Sequence, residues 1–154
     1  MRWIRIGAAL MFLAVALGAF GAHGLKERLS EESLAIYHTG VEYHFLHALG
    51  IILLGAVQPR LRPRRLRAAG IAFLLGIAIF SGSLYLLAFT GISWLGAITP
   101  IGGVSFLVGW LLLALGRPRA TADTLPDREP SVQAGGDISS PGREMRQSVS
   151  YRSD

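Results

Sequence analysis

The stretch AAGIAFLLGIAIFSGSLYLLAFTGISWLGAITPIGGVSFLVGWLLLALG, Ala68–Gly116, contains no Asp, Glu, Lys or Arg. It follows directly on five arginines, Arg60, Arg62, Arg64, Arg65 and Arg67. About 20 apolar residues, at about 1.5 Å of helical rise each, cross the hydrocarbon core of a bilayer. The run therefore holds two spans and a tight turn, and a small soluble chain has no interior large enough to hide it. The chain reads as an all-α integral membrane protein.

The two spans of this run are Ala68–Phe89 and Trp94–Leu115, joined by Thr90-Gly91-Ile92-Ser93. Pro100 lies early in the last span, where its missing N–H predicts a kink unless the regular helix begins nearby. Upstream, Ile6–Leu25 forms a first span behind Arg2 and Arg5, and Gly40–Val57 a second. A rival reading of the first span is a cleaved signal peptide with Ala19-Phe20-Gly21 as its small-x-small site. Its apolar stretch exceeds the usual signal core of about 7–15 residues, which favours a retained helix. Ser30 is a suitable N-cap for a helix with Glu31 and Glu32 in its first turn. A helix begun there either projects beyond the bilayer or bends at Gly40. Leu25–Leu29 reads as a short surface helix. Residues 1–116 thus form one membrane domain with four transmembrane helices.

Residues 117–154 are rich in Pro, Ser, Gly and both signs of charge. They bury too little apolar surface to offset their ordering entropy and read as a disordered cytoplasmic tail. This tail also dilutes the mean hydropathy to +0.45. The formal charge of +5 does not mark a nucleic-acid binder, because the arginines flank apolar spans. With no cysteine, disulfides and thiolate metal ligands are excluded.

Arginine and lysine set the orientation. Four spans put Arg2, Arg5, the five arginines of the central loop, Arg117 and Arg119 on one side, and only Lys26 and Arg28 on the other. A bias of nine to two predicts both termini in the cytoplasm, across the plasma (inner) membrane. Trp3 and Trp110 then fall at the inner interface and Trp94 at the outer one, as in an aromatic belt. The five loop arginines are topology signals first, with lipid contact incidental. Close helix packing is expected along small-residue stripes: Ala14/Gly18/Ala22, Ala72/Gly76, Ala78/Gly82 and Ser105/Gly109.

The polar residues gather in the outer half. His23, His38, Glu42, His44 and His47 form a candidate polar cluster, since ionisable groups in a membrane are costly and suggest function. At about 100° per residue, His44 and His47 share one face with Gly40, and His38 and Glu42 share nearly the opposite one. A metal site on His44 and His47 would need His23 or Tyr85 from a neighbouring helix. The spacing is not specific enough to assign a metal, and no cofactor or catalytic residue is assigned. Glu42 lies only about 6 Å into its span, close enough to the interface to be solvated or paired with His38.

Four blocks taken together carry a resemblance: GAFGAHGLK at Gly18–Lys26, YHFLHALGIILL at Tyr43–Leu54, FSGSLYLLAFTG at Phe80–Gly91 and LGAITPIGG at Leu95–Gly103. In this order they resemble the YgdD-like small inner-membrane proteins, known as domain of unknown function 423. The resemblance implies a short four-span protein of the bacterial plasma membrane, no activity and no site residues. The tail after Arg117 lies outside it.

Three classes of function follow. The first is a non-enzymatic scaffold or accessory component that meets the lipid bilayer and either another membrane protein or a second copy of itself. The alternative is a transporter or channel component using the outer His/Glu cluster for protons or metal ions. The third, a membrane enzyme or haem or quinone protein, has no nucleophile–base spacing, carboxylate pair or phosphate loop behind it.

Overall fold

A computed structural model describes residues 2–60 and 62–116. It contains four helices long and apolar enough to cross a membrane: α1 (Arg2–Leu25), α2 (Glu31–Val57), α3 (Pro63–Thr90) and α4 (Leu95–Ala114). There is no strand among the described residues. The helices alternate in direction. Gly55 of α2 therefore meets Ile4 of α1, Gly70 of α3 meets Trp3, and the Arg65 guanidinium donates to the Leu115 carbonyl past the end of α4. Those contacts define a basic end. Glu27, Glu31 and Glu32 lie at the other.

Each helix has a local reason for its limits. Ser30 is extended (ψ 158°) and its Oγ accepts from the Ser33 N–H at 3.2 Å, capping α2. Pro63 opens α3 from an extended Arg62, at a position whose N–H has no intrahelical partner. Gly91 closes α3 at φ 68°, a left-handed conformation that side chains avoid, and its N–H returns to the Leu87 carbonyl at 2.8 Å.

These caps explain why the helices outrun the apolar segments. α2 begins at Glu31 rather than Gly40, and α3 at Pro63 rather than Ala68. Hydropathy marks what lipid covers, whereas a helix continues to its cap. At 27 and 28 residues, α2 and α3 are about 40 Å long, beyond a hydrocarbon core of about 30 Å. α2 is continuous through Gly40, whose missing side chain instead admits the ring of Tyr85. α4 is continuous through Pro100. Leu25–Leu29 is a turn rather than a helix: Arg28 and Leu29 both donate to the Leu25 carbonyl. Two π-helical turns interrupt the regular pattern, Gly21–Leu25 ending α1 and Ile77–Ser81 within α3. The expected tail lies outside the described residues.

Packing follows a seven-residue repeat. α1 buries Gly7, Ala14 and Gly21, while Ala22 is exposed. The stripe expected at Ala14/Gly18/Ala22 follows the contact through Ala14 and Gly18, which lies against Val41, and leaves it at Ala22. Between α3 and α4, aromatic rings seat on glycines in both directions, Phe73 on Gly109 and Phe106 on Gly76, and Gly102 lets the backbone of Phe80 approach closely. Ala78 is exposed and a Cβ on Gly82 would meet nothing within 4 Å, so that stripe faces away from the bundle. A spacing of seven keeps a seam facing its neighbour along antiparallel helices inclined by about 20°, and a run of fours drifts off it.

The pairs are unequal. In the apolar windows, 44% of α2 and 39% of α3 is buried, against 17% for both α1 and α4. α2 and α3 form the centre, with α1 on the flank of α2 and α4 on that of α3. Two buried clusters form the core: Ile51, Leu54, Leu66, Ala69, Phe73, Ile77 and Phe106 in one, and Leu25, Tyr37 and Ala88 in the other.

Candidate functional site

Helical phase divides α2. Gly40, His44 and His47 are buried; His38 and Glu42 are exposed. His47 is 5% exposed and lies flat on Phe106 of α4, ring centroids 3.4 Å apart and planes 11° from parallel. Its Nδ1 is 2.7 Å from the Tyr43 carbonyl, which can only accept, so Nδ1 carries the proton and donates. Its Nε2 accepts from the Trp110 indole N–H at 3.1 Å. Both ring nitrogens of a neutral imidazole are thus satisfied. Phe73 and Tyr43 complete the aromatic surround.

His44, 2% exposed, turns to α3 instead. Its Nδ1 stands 3.3 Å from the Tyr85 hydroxyl, and its Nε2 has no hydrogen-bond partner among the described residues. Tyr85 packs on Tyr37, whose hydroxyl donates to the Leu17 carbonyl of α1 at 2.8 Å. Ser81, in the π turn of α3, is fully buried, and its hydroxyl too lacks a partner among the described residues. Toward the α3–α4 turn, Ser83 and Thr99 meet at 2.9 Å, and each also reaches a carbonyl of its own helix.

The five polar residues singled out in the sequence are therefore not one cluster. His44 and His47 share a face but address different helices. His23 is exposed in the π turn ending α1, near the level of Tyr37, which precedes His44 by two turns or about 10 Å. His38 and Glu42 face outward. Of the two residues suggested to complete a metal shell, Tyr85 reaches His44 and His23 does not. Among the described residues no group of three or more His, Asp or Glu is placed to hold a metal ion.

Trp110 is the participant whose bond to His47 the sequence did not reveal. It is 40% exposed, one turn before α4 ends at Ala114, while its N–H points into the bundle. The available signal was chemical: an indole N–H within a span needs an acceptor, and unprotonated imidazole nitrogens on a facing helix supply one.

This architecture has relatives. The family described as "Protein of unknown function (DUF423)" matches residues 17–103. The UPF0382 membrane protein YwdK of Bacillus subtilis is 46% identical over 114 residues, covering 73% of this chain and 93% of the relative. A UPF0382 membrane protein of Haemophilus influenzae is 41% identical over 116 residues, 75% of this chain and 92% of its own. The UPF0382 inner membrane protein YgdD of Escherichia coli is 40% identical over 119 residues, 77% and 91% respectively. No solved structure matches. With four membrane-length helices and this likeness over nearly the full length of its relatives, the chain belongs to the DUF423 family of membrane proteins, whose biochemical function is unknown.

Proposed function

We propose that the chain is a non-enzymatic component of the plasma membrane, a scaffold or accessory subunit acting through helix contacts, with both termini cytoplasmic. The observation that carries this reading is the internal use of most of the buried polar groups, His44 Nε2 and the Ser81 hydroxyl being without a partner among the described residues. His47 spends both nitrogens inside the bundle, Ser83 and Thr99 pair, and His23, His38 and Glu42 stand apart on exposed positions. The flanks of α1 and α4 remain as the broad uncommitted surface, apolar and suited to lipid or to another helix. The orientation is supported by the nine-to-two arginine and lysine bias, and the inner membrane by the name of the Escherichia coli relative.

Cross-linking the full chain in native membranes, followed by purification in mild detergent and mass spectrometry, tests this reading. The expected result is a specific protein, or a second copy, attached through α1 or α4 and retained in the His23→Ala, His38→Ala, Glu42→Gln triple variant. Proton or metal-ion flux in proteoliposomes that vanishes with Glu42→Gln would replace it with the transporter reading. A bound chromophore or stoichiometric metal would replace it with the enzyme or redox reading.

A further inference from the structure

A cleft of about 690 Å³ opens at the basic end between the starts of α1 and α3 and the connection after α2. Arg2, Trp3 and Ile6 line it from α1, Leu66 and Arg67 from α3, and Gln58 and Pro59 from the connection. Its floor is apolar, made by buried Leu66 and by Trp3 lying on Gly70. Arg67 is three residues nearer the helix end than Gly70, and Arg2 one nearer than Trp3. Both cationic side chains therefore stand toward the mouth, above the apolar part.

Charge at this end is one-sided. The carboxylates among the described residues are Glu27, Glu31, Glu32 and Glu42, in the glutamate-end turn and the outer half of α2. Arg2 and Arg67 thus line the cleft with no described carboxylate beside them. The planar guanidinium fork binds phosphate oxygens in pairs. A cavity of this size matches small-ligand sites, which span about 300–1,000 Å³.

We propose that this cleft binds the phosphate of an anionic phospholipid, the guanidinium groups of Arg2 and Arg67 holding the phosphate oxygens while Trp3, Ile6 and Leu66 take the glycerol and first acyl carbons. The apolar floor favours a lipid over a soluble anion, which has nothing to place there. The Gln58 amide offers a further donor to the headgroup. The lipid would join α1 to α3, two helices bridged at this end by the Trp3–Gly70 contact.

Native mass spectrometry of the full chain in mild detergent, titrated with phosphatidylglycerol or phosphatidylcholine, tests the site. Phosphatidylglycerol is expected to be retained in preference. Arg2→Gln with Arg67→Gln removes two charge contacts and is expected to weaken retention about thirtyfold. Arg62→Gln with Arg64→Gln removes the same charge outside the cleft and is expected to change it less than about threefold. Ile6→Trp fills the cleft with every charge intact and should also lose the lipid. Equal weakening by the two arginine pairs, no preference between lipids, or retention unchanged by Ile6→Trp would overturn the proposal. Displacement of the lipid by equimolar glycerol 3-phosphate or inorganic phosphate would overturn it in favour of a soluble phosphate ligand.

Discussion

Replacing Trp110 with Phe keeps an aromatic ring near Phe73, now 4.9 Å from the Trp110 ring, but deletes the donor to His47 Nε2. That nitrogen lies on a residue 5% exposed, so neither water nor lipid headgroups replace the lost partner. In soluble proteins an orphaned buried acceptor costs about 1–3 kcal/mol. Hydrogen bonds between membrane helices average only about 0.6 kcal/mol and reach about 1.7, because separated helices find other partners in the bilayer. The enclosure of His47 by Phe106, Phe73 and Tyr43 places this bond near the upper membrane value. A coupling of about 1.5 kcal/mol is expected, roughly a twelvefold change in the folded-to-unfolded ratio. It is isolated by a cycle of Trp110→Phe, His47→Leu and the double variant, unfolded by SDS titration in mixed micelles and followed by circular dichroism. Removing both partners should cost less than the sum of the singles, since the orphaned acceptor leaves with its donor. A coupling below about 0.3 kcal/mol, within ordinary additivity error, would refute the claim that the Trp110 indole N–H is bonded to His47 Nε2.

The same titration checks the close α3–α4 contact. Gly102→Ala, whose Cβ would overlap the Phe80 backbone, should destabilise by about 1–3 kcal/mol. Gly82→Ala, with nothing within 4 Å, should be neutral or stabilise by up to about 1 kcal/mol. Ser81→Ala removes a hydroxyl with no partner among the described residues and should not reduce stability, whereas Tyr85→Phe leaves His44 Nδ1 without its partner and should cost about 0.6–1.7 kcal/mol. Reporters of cytoplasmic and periplasmic location fused after Asp154 should give the cytoplasmic signal, and the opposite signal would reverse the orientation.

Four passes through a membrane were legible because lipid imposes one coarse requirement, about 20 apolar residues in a helix, and the chain meets it four times. Helix ends were less so, because hydropathy is silent about caps: Ser30 and Pro63 sit outside the apolar windows yet decide where α2 and α3 begin. The contact lines were only partly legible for a related reason: Gly76 and Gly109 lie in the α3–α4 contact, whereas Ala78 and Gly82 do not. A four-residue small stripe such as Ala78/Gly82 is visible in any membrane helix, but which stripe faces a neighbour depends on the partner. The Phe80 backbone seats on Gly102 of α4, and the Ile77–Ser81 π turn lies in the segment between Gly76 and Gly82, so no pattern within α3 alone fixes both.

The polar residues show the same division between what one helix determines and what two helices determine. The separation of His44 and His47 from His38 and Glu42 is a property of α2, computed from angle alone. The fate of His47 is not, because it depends on Trp110, 63 positions away, arriving at Nε2 with a donor. Once that donor is in place, the imidazole cannot offer Nε2 to a metal without breaking the indole bond, nor Nδ1 without freeing the Tyr43 carbonyl contact. The arrangement spends a titratable residue on joining α2 to α4 across the flank of α3, which a leucine in the same place would do by packing alone and with less directional specificity. A buried histidine so committed argues for a specifically registered bundle, and leaves the apolar flanks, the arginine-lined cleft and the unpartnered His44 Nε2 and Ser81 hydroxyl as the places to look for function.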